Sequence, residues 1–329
     1  MSGGATPHIK HPVTAGHTRR LMVALKYYMI IAIVLAALVI IYLGISSYIA
    51  RRVMRVPRQP LGYTPASVGL KYEDVSFPSR KDRLTLKGWY IAGKKDFTVI
   101  IVTGMHQHRV DYQIGVLQLT RDLVEHGYNV LLFDLRGRGQ SEGQGVLLTR
   151  FERDIGGAID YIRQRGCPAN RIALVGFSAG AAASIIFSSG EAVAAVVSDS
   201  CFASVADVFV GKGVDESDLP AWLIHFFGLG TLLMSTIMYG YHRVDPVDRV
   251  PKVACPILFI QGGKDDIIAV SDTHKLHQAS DNPSDEIWVV AEAEHTMSYM
   301  TDPAGYIQRL VALLQKAERG GHQLTGNPL

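Results

Sequence analysis

The hydrophobic positions divide the chain into one long apolar segment and a region where short apolar runs alternate with amphipathic stretches. Residues 27–50 carry no charged side chain. As a helix rising about 1.5 Å per residue, this segment is roughly 36 Å long, more than a hydrocarbon core of about 30 Å. It therefore predicts an N-terminal transmembrane helix that contacts a lipid bilayer. A cleaved signal peptide is the alternative, but the run is longer than a signal's apolar region and follows a polar leader, residues 1–26.

Basic residues flank the predicted span on both sides, which leaves its orientation nearly balanced under the positive-inside rule. Those before the span are Lys10, Arg19, Arg20 and Lys26, and those after it are Arg51, Arg52, Arg55 and Arg58. The tighter cluster after the span favours a cytoplasmic location for the remainder of the chain.

Beyond a linker at residues 51–68, strand-like and helix-like segments alternate from residue 69 to residue 317. Predicted strands lie at 72–79, 84–92, 98–103, 128–133, 171–176, 194–198, 257–262 and 286–291. Predicted helices lie near 111–126, 149–165, 179–189, 271–280 and 303–318. This alternation is typical of an α/β domain, with a mostly parallel sheet and helices on both faces. Residues 318–329 are expected to form a flexible tail.

One long interruption, at about residues 203–250, separates two of the predicted strands, and its part 219–241 lacks Lys, Arg, Asp and Glu. A second membrane span there is rejected, since Pro220, His225 and three glycines interrupt the segment. Such a crossing would also place the candidate residues before and after it on opposite sides of the bilayer. We expect instead a helical lid over the active site, able to accept an acyl chain or to touch the membrane surface. A lid that only completes the core is the alternative.

The chemistry is indicated first by a serine between two glycines, Gly176-Phe-Ser178-Ala-Gly180, directly after a predicted strand. A sharp strand-to-helix turn of this kind lifts a serine hydroxyl clear of the sheet, and glycine-sized neighbours leave room for it. Small residues follow, so the next helix can pack closely and direct its amides at a developing oxyanion.

A serine nucleophile needs a histidine base and an acid that orients the histidine. Asp265 follows the predicted strand at 257–262, and His295 follows the strand at 286–291. Asp266 and Asp199 are alternatives for the acid. Asp199 comes directly after an earlier strand, where a loop hydrogen bond or helix cap is the preferred interpretation.

These features together resemble the α/β-hydrolase superfamily, and within it the serine aminopeptidase-like (Hydrolase_4-like) branch, over roughly residues 69–317. The matching motifs, in chain order, are LKGWY at 86–90, Thr103-Gly104, DLRGRGQSEG at 134–143, the serine turn at 176–180, GGKD at 262–265, and His295. The resemblance implies an α/β-hydrolase fold with a helical lid insertion and Ser178, Asp265 and His295 as the catalytic residues.

The resemblance further implies an oxyanion hole formed by the backbone amides of Met105 and Ala179. The sequence departs from the family at Thr103, where a histidine is usual. Because the oxyanion donors are backbone groups, this departure concerns the support of the loop more than the oxyanion hole. His106 and His108 in the same loop are interpreted as filling it. In the run 134–143, we expect Asp134 and Arg136 to hold the loop beside the serine turn.

Composition excludes some functions but does not indicate a particular one. A net charge of +3, with many basic residues beside the apolar segment, gives no sign of a nucleic-acid partner. The three cysteines have no metal-ligand spacing, and neither a metal nor an organic cofactor is expected. We therefore predict a membrane-anchored serine hydrolase acting on a small-molecule or lipid acyl ester or thioester. A serine aminopeptidase and a catalytically silent binding protein are the alternatives.

Overall fold

The computed structural model describes residues 14–105, 108–205 and 221–325. Within them lies one eight-stranded sheet in the order β1-β2-β4-β3-β5-β6-β7-β8. The strands are β1 Glu73–Pro78, β2 Thr85–Ile91, β3 Thr98–Val102, β4 Asn129–Phe133, β5 Ile172–Phe177, β6 Ala195–Asp199, β7 Ile257–Gly262 and β8 Glu286–Val290. The helices are α1 Thr14–Met54, α2 Val116–Glu125, α3 Phe151–Gln164, α4 Ala179–Ser188, α5 Ala221–Tyr239, α6 Val270–Ala279, α7 Ser298–Thr301 and α8 Pro303–Thr325.

The sheet is mostly parallel, as the alternation of segments predicted. β1 and β2 form an antiparallel pair at one edge, and β2 joins β4 antiparallel. All pairings from β4 through β3, β5, β6 and β7 to β8 are parallel. The carboxyl ends of β5, β7 and β8 therefore share one edge, where the residues that follow these strands can meet.

Alternation of side chains along each buried strand supplies two cores, one on each face of the sheet. In β3, Ile100 faces a core completed by α3, α4 and α6, with Ile155 and Leu276 among its members. Val99 faces the opposite core, completed by α2 and α8, with Leu310 among its members. The helices thus cover both faces, and the chain has the α/β-hydrolase fold.

Helix α1 is longer than the predicted span. It begins by Thr14 and ends at Met54, so residues 14–26 are helical where the sequence predicted a separate polar leader. Leu, Met, Ala, Lys and Arg, which are frequent here, are good helix formers and let the helix continue past the apolar segment. Its part Arg19–Met54 is long and apolar enough to cross a membrane, and residues 19–41 are exposed.

The end of α1 is fixed to the hydrolase domain. The amide of Leu147 donates to the Met54 carbonyl oxygen at 3.0 Å, and the amide of Val56 donates to the Gly145 carbonyl oxygen at 2.9 Å. The linker is therefore bonded at its start to the segment 145–147.

Helix α5 occupies the predicted lid insertion, but it packs against α1. None of its described residues lines the cavity beside Ser178, whereas Val205, at the start of the predicted insertion, does, so the lid over the site stays a prediction. The apolar residues of α5 find an apolar partner in α1, which lies far away in sequence. Residues 206–220 of the insertion lie outside the described ranges.

The last helix continues to Thr325, so residues 318–325 are helical where the sequence predicted the start of a flexible tail. Packing explains the continuation, because Ala317 is buried and Glu318 pairs with Lys95 at 3.3 Å. Residues 326–329 of the predicted tail lie outside the described ranges.

Candidate active site

Ser178 lies at the turn between β5 and α4 with φ 52° and ψ −118°, a conformation that L-residues rarely adopt. The glycines beside it are required sterically. A β-carbon on Gly176 would lie 2.5 Å from the Ala181 Cα, and one on Gly180 would lie 2.1 Å from the Val102 carbonyl oxygen. Helix α4 therefore sits directly on the sheet, and the turn presents the serine at the sheet's carboxyl edge.

The structure brings Ser178, His295 and Asp265 together. The Ser178 Oγ lies 3.0 Å from His295 Nε2, and His295 Nδ1 lies 2.8 Å from Asp265 Oδ2. The His295 side chain is 16% exposed and that of Asp265 is fully buried. A hydroxyl, an imidazole and a carboxylate in this order form the arrangement that activates a serine as a nucleophile.

The Asp265 carboxylate is held by its own strand and loop. Its Oδ2 accepts a hydrogen bond from Gln261 Nε2 at 2.7 Å. Its Oδ1 accepts the amides of Ile267 at 2.9 Å and Ile268 at 2.8 Å. Both oxygens are thus oriented before any substrate binds, whereas the alternative acid, Asp266, is exposed.

Asp199, the other alternative acid, is fully buried, and the His295 ring is bonded to Asp265 and not to Asp199 in the described part of the chain. Its Oδ1 accepts the hydroxyls of Ser200 at 3.0 Å and Ser298 at 3.2 Å. The Ser200 hydroxyl in turn accepts the amide of Thr296 at 3.0 Å. Burial raises the pKa of Asp199 to about 7. Asp199 thus supports the turn that follows His295.

The two predicted oxyanion donors lie beside the serine. Ala179 is the first residue of α4, where backbone amides have no partner within the helix. Met105 and Ala179 line the same cavity of about 510 Å³ as Ser178 and His295. This arrangement can direct two amides at an oxygen bound near the serine.

A residue that the sequence analysis missed, Arg138, holds the loop that contains Met105. Its Nε and Nη2 donate to the Met105 carbonyl oxygen at 3.0 and 2.7 Å. The guanidinium is buried, lies 4.7 Å from the centre of the Phe151 ring, and has its pKa lowered to about 10 by burial. The feature of the sequence that could have identified Arg138 is that it is the second arginine within the glycine-rich turn after β4.

Asp134 and Arg136, expected to hold the turn at 134–143, both make bonds there. Asp134 accepts the amide of Gln140 of the same turn at 2.9 Å and that of Arg109 at 2.8 Å. Arg136 joins the turn to its surroundings, since it pairs with Asp154 of α3 and with Asp82, both at 2.7 Å.

The other residues of the loop that contains Met105 have smaller roles. The Thr103 hydroxyl is buried and has no hydrogen-bond partner among the described residues. His108 is buried at the cavity wall, and its Nδ1 accepts the amide of Val110 at 3.1 Å. His106 lies outside the described ranges. Within those ranges, no group of three or more His, Cys, Asp or Glu side chains is placed to hold a metal ion.

The chain is similar in sequence to known proteins. Residues 93–206 match the family model described as serine aminopeptidase, S33. The Bacillus subtilis protein YqkD, named as uncharacterised, is 26% identical over 222 residues, which are 65% of this chain and 70% of that protein. The uncharacterised protein YfhR of Escherichia coli K12 is 28% identical over 247 residues, or 72% and 78% of the two chains.

Solved structures show the same fold. The Pyrococcus furiosus esterase Pf2001 superposes with a TM-score of 0.68 at 25% identity, covering 80% of this chain and 98% of that one. The esterase domain of a Rhodothermus marinus protein superposes with a TM-score of 0.54 at 19% identity, covering 75% and 99%. The chain is thus similar to α/β hydrolases both in sequence and in structure.

Proposed function

We propose that this α/β hydrolase is a serine esterase that cleaves a carboxylic ester or thioester through an acyl-enzyme. The observation that carries the proposal is the continuous contact from Ser178 through His295 to Asp265 at the wall of a cavity. A protein with the same fold and 25% identity, Pf2001, is named an esterase.

In the proposed reaction, His295 Nε2 takes the hydroxyl proton as Ser178 Oγ attacks the substrate carbonyl carbon. The Asp265 carboxylate stabilises the imidazolium that forms. The amides of Met105 and Ala179 bind the oxyanion. His295 then protonates the leaving alcohol or thiol, and the acyl group stays on Ser178. Water attacks this acyl-enzyme by the same steps and releases the acid.

The cavity walls support an acyl substrate over a peptide with a free amine. Apolar side chains line much of the cavity: Val110, Leu147, Leu148, Phe202, Val205, Ile267 and Ile268. Among the described residues, the wall contains one carboxylate besides the reactive group, that of Asp111. Its Oδ1 already accepts the amides of Gln113 at 2.8 Å and Ile114 at 3.2 Å. Aminopeptidase activity, favoured by the family description, is the second candidate.

The experiment compares hydrolysis of nitrophenyl esters of increasing acyl length with hydrolysis of aminoacyl nitroanilides. We expect ester hydrolysis with an initial burst from acyl-enzyme formation, and a fall in kcat of roughly 10⁴-fold or more in Ser178→Ala. Faster turnover of the aminoacyl amides would replace the esterase proposal with the aminopeptidase.

We further propose that α1 is an uncleaved anchor and that the hydrolase domain is cytoplasmic. The bonds of Tyr42 to Phe226 and Gly230 favour retention of α1, since a cleaved signal would not be packed against the rest of the folded chain. Intact mass of the protein extracted from membranes tests the retention. Protease protection of the domain in sealed vesicles tests the side.

A further inference from the structure

Helices α1 and α5 leave the hydrolase domain from the same loop and in the same direction. Met54 at the end of α1 accepts the amide of Leu147. Gly240, directly after α5, lies against the Arg150 guanidinium. A β-carbon added to this glycine would lie 3.1 Å from Arg150 Nη2. Both helices thus end at the domain beside residues 145–150, and both extend away from it toward their N-termini.

The two helices are joined by a polar contact roughly three turns from these ends. The Tyr42 hydroxyl donates to the Phe226 carbonyl oxygen at 2.8 Å and accepts the Gly230 amide at 2.9 Å. The ring of Tyr42 stacks on Phe227 at 5.4 Å. A β-carbon on Gly230 would lie 2.2 Å from Ser46 Oγ, so glycine permits the close approach. The pair is therefore a packed unit and not a chance crossing.

An apolar stripe along α5 is exposed and is formed by Trp222, Phe226, Leu229, Leu233 and Ile237, of which Phe226 also contacts the Tyr42 ring of α1. Their spacing of three and four residues places them on one side of the helix. Trp222 is 67% exposed, Leu229 76% and Ile237 66%. Exposed apolar surface of this extent marks a contact with a protein or a membrane.

The apolar surface of the neighbouring helix α1 indicates that the stripe of α5 contacts a membrane. The exposed apolar surface of α1 continues beside that of α5, since residues 19–41 of α1 are exposed along the whole length that precedes Tyr42. Where α1 reaches the domain, its apolar segment is followed by the exposed residues Arg51, Arg52 and Arg55. Arginines at this position can pair with lipid phosphates, which places the domain ends of both helices at the membrane interface.

We propose that α5 is a second membrane-contacting element, whose apolar stripe enters the bilayer beside the part of α1 that crosses it. The active-site cavity then opens at the lipid surface, because Leu147 and Leu148 of the loop that holds both helices also line the cavity beside Ser178. Its substrate is an ester or thioester carried by a molecule dissolved in the lipid phase. The substrate part of this inference rests on the proposed esterase activity.

The location of α5 is tested on the full chain in vesicles of phosphatidylcholine and phosphatidylglycerol. Of the three tryptophans, Trp222 is the one on this stripe, whereas Trp89 is buried. Lipids with bromine on the acyl chains are expected to quench the fluorescence of the wild type, and to quench Trp222→Phe less. Equal quenching of the two proteins overturns the proposal. Quenching of Trp222 by aqueous acrylamide, or its shielding from both quenchers by a protein partner, also overturns it.

The substrate source is tested with the double variant Leu229→Lys/Ile237→Lys and its apolar control Leu229→Met/Ile237→Val. The lysine variant is expected to lose at least about tenfold in kcat/KM on a long-chain ester embedded in vesicles, since charges at these positions resist entry into lipid. Its rate on a soluble short-chain ester should match the control. An unchanged vesicle rate contradicts the lipid-phase substrate, whereas failure of the wild type on both esters contradicts the esterase proposal instead.

Discussion

At the scale of single residues, the site combines a partly buried reactive serine with titratable groups that are buried and hydrogen-bonded. Asp265, Asp199 and Arg138 each occupy a position where an unbonded charge would be costly, and each is held by neighbouring donors or acceptors. Such groups keep the surrounding loops in one conformation. Their presence makes stability and catalysis sensitive to small changes around the serine.

Asp199 gives the protein a specific dependence of stability on pH. Its pKa rises from 3.8 to about 7 on folding, so between these values the folded protein binds more protons than the unfolded chain. Stability therefore falls as pH rises through this window, and the loss is complete above it. Asp199→Asn removes the buried charge while keeping the shape, and should raise the free energy of unfolding at pH 8 by roughly 2 to 4 kcal/mol.

Urea denaturation of both proteins at pH values from about 4.5 to about 8.5, which cover most of this window, measures the difference in unfolding free energy. The gain from Asp199→Asn should shrink toward the acid end, and the exposed Asp266→Asn serves as the control. A gain of the same size at every pH, or none at pH 8, would show that the Asp199 carboxylate is not held in this way.

Arg138 is expected to act on the rate through the loop of Met105. Arg138→Met removes both donors to the Met105 carbonyl oxygen, so the oxyanion amide loses its support and kcat should fall roughly 10- to 100-fold. KM should change little, because the ground-state ester does not depend on this contact. Arg138→Lys, which keeps one donor, should recover part of the rate.

Arg153→Met is the matched control, since Arg153 is a nearby arginine whose partner is Asp82 and not the Met105 carbonyl oxygen. Steady-state kinetics on a soluble ester separate kcat from KM. A rise in KM at constant kcat would assign Arg138 to substrate binding, and equal losses in both arginine variants would assign it to general stability.

At the scale of elements, the order of strands and helices follows from local patterns, and the sequence predicted it well. The predicted strand at 257–262 coincides with β7, and the predicted helix at 179–189 with α4. Ser178, Asp265 and His295 were predicted because each follows a strand of a parallel sheet. The contact of α5 with α1 was not predicted, since it joins segments far apart in sequence. The role of Arg138 likewise depends on burial that no local pattern reveals.

The contact of α4 with β3 makes a further prediction at this scale. Gly180→Ala places a methyl group 2.1 Å from a backbone carbonyl of β3, which cannot rotate away. We expect a loss of about 3 kcal/mol in unfolding free energy together with loss of activity, because α4 carries the serine turn. Gly190→Ala, where the nearest atom is 3.9 Å away, should be neutral or slightly stabilising. Thermal unfolding of both variants tests this, and equal Tm values would contradict it.

At the scale of the whole molecule, a hydrolase domain, an N-terminal helix and an inserted helix form one packed unit. The cavity of about 510 Å³ holds the reactive group, and the loop at its wall holds both helices. This arrangement relates the chemistry at Ser178 to the surface where α1 and α5 leave the domain. The proposed hydrolysis requires first that Ser178 is an activated nucleophile.

The most direct measurement is covalent labelling of the full chain by a fluorophosphonate probe, with the modified residue identified by mass spectrometry. Wild type should carry one adduct at Ser178, whereas Ser178→Ala and His295→Ala should stay unlabelled although folded. Asp265→Asn should label more slowly than wild type. Absence of labelling in folded wild type, or equal labelling of Ser178→Ala, would contradict the proposed serine hydrolase.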